Sequence, residues 1–153
     1  KKETVAAAVA AGPIDGSYTL SAWTCSTNDV KAALVTFGVT TMTTVITNLT
    51  NATAFIFAST GCVDTTAGVV TYPAANQISL KDGADTCSAS CSGGQCTASA
   101  ARASSPTNTY TYALSGSTLT LSRTLTSTEV SSNVLLTNAG CVAGDTETLT
   151  FVK

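Results

Sequence analysis

Gly16-Ser17-Tyr18-Thr19-Leu20-Ser21-Ala22-Trp23-Thr24-Cys25 reads as a β-strand, and the rest of the chain can be arranged around it. Tyr18, Leu20 and Ala22 alternate with Ser17, Thr19 and Ser21, the period of two that turns one face to a core and the other to water. The alternation slips by one at Trp23, which predicts a bulge or a strand end beside Cys25. A partner is available at the far end of the chain, where Leu149 and Phe151 alternate with Thr148, Thr150 and Val152. Pairing the first strand with the last closes a sheet on itself and removes its edges.

Between these two strands the chain is β-rich. Leu34 to Thr53 is threonine-rich and β-branched, and poor helix propensity over Val39 to Thr50 predicts one or two strands after a short helical turn at Asp29 to Leu34. Ala54 to Ala58 is apolar on both faces, as in a strand that is covered outside or lines a cavity inside. Val69 to Tyr72 and Gln77 to Lys81 read as two short strands around Pro73. Tyr110, Tyr112 and Leu114 then alternate, and Ser115-Gly116-Ser117 turns that strand into Leu119, Leu121, Arg123 and Leu125, the clearest hairpin of the sequence. About seven or eight strands at regular spacing mark a barrel or sandwich. With the first strand paired to the last, the expected fold is all-β: a single antiparallel up-and-down barrel of about eight strands.

Six cysteines, Cys25, Cys62, Cys87, Cys91, Cys96 and Cys141, suggest three disulfides and an oxidising compartment. If strands alternate in direction, all six fall at one end of the barrel. Because the first and last strands are antiparallel neighbours, Cys25 with Cys141 is the favoured bridge. It would close a loop on the order of 100 residues, worth about 4–5 kcal/mol in the chain-entropy model. Cys62 with Cys87 and Cys91 with Cys96 is the preferred pairing of the remainder, with the other combinations open. Three of these cysteines lie in Asp82 to Pro106, a small, polar stretch that reads as a long loop held by disulfides.

Composition sets the limits on function. Charged residues make up 10% of the chain, against roughly 25% in an average protein, and 30 threonines take their place. A formal net charge of −2 with no basic cluster provides no footprint for nucleic acid. There is no histidine, which removes the commonest general base and metal ligand. Residues 1–12 have no strand alternation and end at Gly12-Pro13, so they read as a flexible tether before a barrel domain at 13–153. The charged, alanine-rich leader also fits an exported lipoprotein anchored through a residue preceding Lys1, the plainer alternative being a frayed terminus.

The Gly16-Ser17-Tyr18 start, the following Trp23-Thr24-Cys25 and the short final strand after Cys141 resemble the small bacterial lipocalin-like barrels of the calycin type. Those proteins open the first strand with Gly-x-Trp, whereas Tyr18 holds the aromatic place here. The resemblance implies an eight-stranded barrel with a pocket open at one end and a basic residue packed over the aromatic, for which Arg123 is the nearest candidate.

The functional expectation is a non-enzymatic, exported monomer that needs no cofactor and binds a small apolar or amphipathic ligand. Tyr18, Phe55, Phe57, Tyr110, Tyr112, Leu119 and Leu121 are the candidate ligand-binding residues. The alternative is a cell-envelope or surface interaction module, of adhesion or protease-inhibitor type, that contacts a protein partner through the Asp82 to Pro106 loop. Competing chemistries are poorly supported. The cysteine spacings lack a paired zinc knuckle, and Asp64, Asp82 and Asp85 match no calcium loop. No base stands out beside a serine or threonine, Lys31 and Lys81 included, and no carboxylate pair sits in a hydrolase motif. Asn48-Leu49-Thr50 and Asn51-Ala52-Thr53 match the glycosylation pattern at the rate chance provides in such a chain.

Overall fold

The computed structural model describes residues 12–58, 62–87 and 106–153. The strands are β1 (Gly16–Cys25), β2 (Asn28–Asp29), β3 (Val39–Thr47), β4 (Thr50–Phe57), β5 (Val63–Thr71), β6 (Gln77–Cys87), β7 (Thr107–Ser115), β8 (Thr118–Thr124) and β9 (Thr146–Val152). They form one antiparallel sheet in the order β2-β1-β3-β4-β5-β6-β7-β8-β9, and β9 returns to pair with β1. Apart from the two-residue β2, the strands run alternately up and down round a closed ring, the architecture the sequence predicts.

Binary pattern explains the closed side of the ring. On β8, Leu119 and Leu121 are buried while Thr118, Thr120 and Ser122 face outward; on β9, Leu149 and Phe151 are buried between Thr148, Thr150 and Val152. Register then stacks the inward residues in layers. Leu114, Leu119, Phe151 and Leu20 are successive cross-strand partners, as are Tyr112, Leu121, Leu149 and Trp23. The register of β1 against β9 shifts between Leu20 and Ala22. This bulge returns Trp23 and Cys25 to the interior, where they are 6% and 0% exposed, and it is the cause of the slipped alternation at Trp23.

Strand directions place the described cysteines at one end, as parity predicts. Cys25 ends β1, Cys62 directly precedes β5, Cys87 ends β6 and Cys141 precedes β9. Cys25 and Cys141 are bridged, with Cα atoms 5.8 Å apart. Cys62 and Cys87 are each in a disulfide as well, and Cys25–Cys141 is the bridge seen between described residues. Cys91 and Cys96, the Gly61 stop, the tether up to residue 11 and most of the expected Asp82 to Pro106 loop lie outside the described residues. At the other end, the carboxylate of Asp15 accepts a hydrogen bond from the Asn48 amide (2.9 Å), and the Tyr18 hydroxyl donates to the Ile14 carbonyl (2.8 Å). These bonds tie the incoming chain to the β3–β4 turn and to the base of β1.

The structure corrects several element boundaries. Asp82 to Pro106 reads as a loop, yet β6 continues through its first residues to Cys87. The β5–β6 register shifts between Thr66 and Gly68, and Gly83 lies against β5 so closely that a Cβ there would sit 2.7 Å from the Ala67 carbonyl. A bulge rather than a turn absorbs the glycine. Ala54 to Phe57 continues β4, and β5 begins at Val63, well before Val69. The expected helical turn is α1 (Val30–Thr36), with Asp29 as its N-cap accepting from the Ala32 amide and Gly38 at φ 85° just beyond its end. Two short helices were not expected, α2 (Ser127–Ser132) and α3 (Val134–Asn138). The first starts with a capping box between Thr126 and Glu129, and the second is capped by Asn133.

The Cys25–Cys141 bridge spans a sequence separation of 116. Replacing both cysteines with serine is expected to lower unfolding free energy by about 2–5 kcal/mol, read by chemical denaturation, with near-unchanged far-ultraviolet circular dichroism. A loss well under 1 kcal/mol would mean that sheet pairing alone holds the closure.

Candidate functional site

The ring is closed on one side of β1 and split on the other. β1 pairs with β9 from Thr19 to Cys25, but with β3 only from Gly16 to Thr19. Beyond Thr19, β1 follows β9 through its bulge, and β3 parts from it to leave a seam in the upper wall. Helix α1 lies over this seam, contacting both strands. Val30, Ala33 and Leu34 recur at helical spacing and are buried beneath it, while Val35 on its outer side is exposed.

The seam holds a cleft lined by Leu20, Lys31, Leu34, Val35, Val39, Thr40, Thr41 and Met42. Its interior space is about 10 Å³, room for a single water. Lys31 stands at the mouth and donates a hydrogen bond to the Ser21 carbonyl at 3.2 Å, at the residue where the β1 register shifts. Behind the cleft, Met42 is the cross-strand partner of Phe55, and Val39 that of Phe57. Phe55, Phe57 and Met42 are half-buried and pack against the core, whereas Leu20, Leu34 and Val39 on the cleft wall are buried, as are Tyr18, Trp23, Leu149 and Phe151 on the closed side.

On the closed side, a polar belt crosses four consecutive strands of the ring. The Trp23 indole donates to one carboxylate oxygen of Glu147 (3.0 Å), and Arg123 Nε donates to the other (2.6 Å). A second guanidinium nitrogen of Arg123 donates to the Asn108 side-chain oxygen (2.7 Å) and lies 3.8 Å from Glu129. The guanidinium carbon sits 4.6 Å from the centroid of the Tyr110 ring. Glu147 is 1% exposed, so both of its oxygens are satisfied within the protein. Burial works against the charge on Arg123, but Tyr110, Glu147 and Glu129 outweigh it and hold the guanidinium above its ordinary value.

The sequence-predicted residues fall into two groups. Tyr18, Tyr110, Leu119 and Leu121 belong to the packed core, and Tyr112 packs on it in a cross-strand pair with Leu121. Phe55 and Phe57 lie on β4, one strand away from the seam, as cross-strand partners of Met42 and Val39. Arg123 does not cover Tyr18; Lys153 does, with its ammonium 5.5 Å from the ring centroid. Gly16 makes room for it, since a Cβ there would lie 2.8 Å from Lys153 Cε. The sequence reading missed Lys31, Leu20, Leu34, Val39 and Met42 as a group, because only the departure of β3 from β1 brings them together. Asn51 is buried, which takes its glycosylation match off the surface. Among the described residues, no group of three metal-ligating side chains converges.

No family model matches the chain, and no curated protein or solved structure matches it either.

Glu147→Gln leaves Arg123 with only the more distant, partly exposed Glu129 as counter-charge and is expected to cost about 2–4 kcal/mol in denaturant unfolding. Arg123→Met with Glu147→Leu should recover a large part of that loss. If Glu147→Gln costs less than 1 kcal/mol, the belt does not hold the closure.

Burial first, and then Asp15, raise the hydroxyls of Tyr18 and Tyr72, the latter to about 12; burial first, and then Glu147, push Tyr110 up further. A phenol whose folded value lies above its unfolded value of about 10 contributes stability below that pH and loses it as pH rises toward the folded value. Melting temperature is therefore expected to fall between pH 10 and about 12, with most tyrosinate absorbance appearing only as the protein unfolds. Full ionisation of all four tyrosines with the fold intact would contradict this.

Proposed function

We propose that this chain is a non-enzymatic, lipocalin-like carrier that binds a small apolar or amphipathic ligand through the split side of its barrel. The observation that carries the reading is the seam itself. A wall of the barrel stays unpaired above Thr19, the gap is lined mainly by apolar side chains, and the residues behind it are the half-buried Phe55 and Phe57. A break in the pairing of β1 with β3, covered by a short helix, offers a ligand a point of access. The cation over Tyr18, next to a glycine that admits it, accords with the resemblance to calycin-type barrels. The disulfide at the upper end suits export to a periplasm, cell surface or extracellular medium, and anchoring as a lipoprotein is part of the same proposal.

The test is native mass spectrometry of the oxidised protein before and after incubation with a total lipid extract. A retained adduct of a few hundred daltons, lost when Val39→Trp or Met42→Trp fills the cleft, is the expected result. An unliganded spectrum under both conditions, with no rise in melting temperature, would overturn the carrier reading and turn attention to a protein partner at residues 82–106.

A further inference from the structure

We infer that the end of the barrel opposite the disulfides seats end-on upon an anionic lipid surface, with Leu49 and Leu114 as its apolar contacts. The inference stands on the described end face and on neither the ligand nor the anchor proposed above. Three turns and both ends of the described chain meet at this lower end, namely residues 12–16, 47–50, 71–77, 114–118 and 152–153. Asp15 and Lys153 are the only charged residues in those segments. Backbone amides occupy both carboxylate oxygens of Asp15, Gly12 at 3.1 Å and Asn48 at 2.9 Å, so Lys153 is the exposed charge of the face. The opposite end holds Asp29, Asp64, Asp85, Glu129 and Asp145 around Lys31 and Arg123. The molecule is therefore polarised along its axis, with an acidic upper end and a lower end whose one exposed charge is a cation. An anionic surface attracts the second and repels the first, which fixes the orientation.

The same end carries apolar side chains where turns are ordinarily polar. Leu49 and Leu114 are the two exposed leucines among the described residues, at 55% and 37%, and both lie here. Leu49 is at the tip of the β3–β4 turn, and its carbonyl accepts from the Val70 amide at 2.8 Å, so the side chain projects from a fixed support. Leu114 belongs to the inward row of β7 just before the β7–β8 turn, where the barrel ends and leaves it uncovered. Val152, the cross-strand partner of Thr118, and the exposed Pro73, Ala74 and Ala75 of the β5–β6 turn complete the face. The Lys153 amide donates to the Ser117 carbonyl (2.9 Å), which sets the cation at the edge of that face. These contacts sit on separate turns round a rim instead of forming one continuous patch. A fluid surface, into which each tip dips by itself, suits that arrangement better than a second folded protein, which needs continuous complementary area. The chain also enters the barrel here, through Gly12, and the segment before it repeats the chemistry, with Lys1 and Lys2 ahead of the alanine-rich Val5 to Ala11.

The experiment holds the full chain, with a hexahistidine tag ahead of Lys1, on vesicles of phosphatidylcholine, phosphatidylglycerol and a trace of nickel-chelating lipid. Wild type and variants then sit at the same surface density, and hydrogen exchange read by mass spectrometry reports contact. Peptides covering residues 47–50, 71–77 and 114–118 are expected to exchange about threefold or more slowly on the vesicles than in solution, and those covering α2 and α3 at the same rate in both. Leu49→Asp with Leu114→Asp should remove the slowing at unchanged density. Lys153→Glu should weaken it on these vesicles but not on vesicles lacking phosphatidylglycerol. Should the double aspartate variant fail to fold, serine at both positions takes its place. Lower turns that exchange at the solution rate overturn the proposal, as does slowing that survives the double substitution, which would be the tether's own effect. Slowing in vesicle-free protein that grows with protein concentration would put a second copy on this face and overturn the lipid surface.

Discussion

The pairing of β1 with β9 is the constraint from which the rest of the barrel follows. To stay with β9 as far as Cys25, β1 takes up a bulge at Ser21, and the bulge turns Trp23 and Cys25 inward. The same bend carries β1 away from β3 after only four paired residues. Closure on one side therefore produces the split on the other. The disulfide and the Trp23–Glu147–Arg123 belt lock the closed side covalently and electrostatically, while among the described residues the split side is covered by the seven-residue α1, which also contacts α3. Stability is concentrated where the chain ends meet, which leaves the opposite flank of β1 free to be less secure.

Charge is distributed in the reverse of the usual order. Arg123 and Glu147 point inward, but every outward position of β7, β8, β9 and β1 is Thr, Ser, Ala or Val. Hydroxyls and methyl groups, paired across the strands, form the outer wall and supply its solvation without ions.

Much of the architecture could be read from residues 16–25 and 146–152. Strict alternation in β8 and β9 announced a half-buried sheet, the slip at Trp23 announced the bulge, and strand parity placed Cys25 beside Cys141. What could not be read depended on contacts between distant segments. Asp82-Gly83 carries a local turn signal that cross-strand pairing overrides, and α2 and α3 are short enough that only their caps, Thr126 with Glu129 and Asn133, mark them. Of the candidate site, Phe55 and Phe57 were visible as an apolar run. Lys31, Leu34, Val39 and Met42 were not, since no periodicity reports where two neighbouring strands separate. Arg123 was the nearest candidate for the basic residue of the calycin-type pattern, yet the structure sets it over Tyr110 and leaves Tyr18 to Lys153.

The central claim is that β1 is fixed to β9 and loosely covered on its β3 side. Native-state hydrogen exchange as a function of denaturant tests it most directly. The amides bonded between β1 and β9 should exchange only with global unfolding. Those within α1 should exchange through a local opening of lower free energy and little denaturant dependence. If the α1 amides instead share the free energy and denaturant slope of the β1–β9 pairing, the helix is an integral part of the closed barrel and the seam is not a point of access.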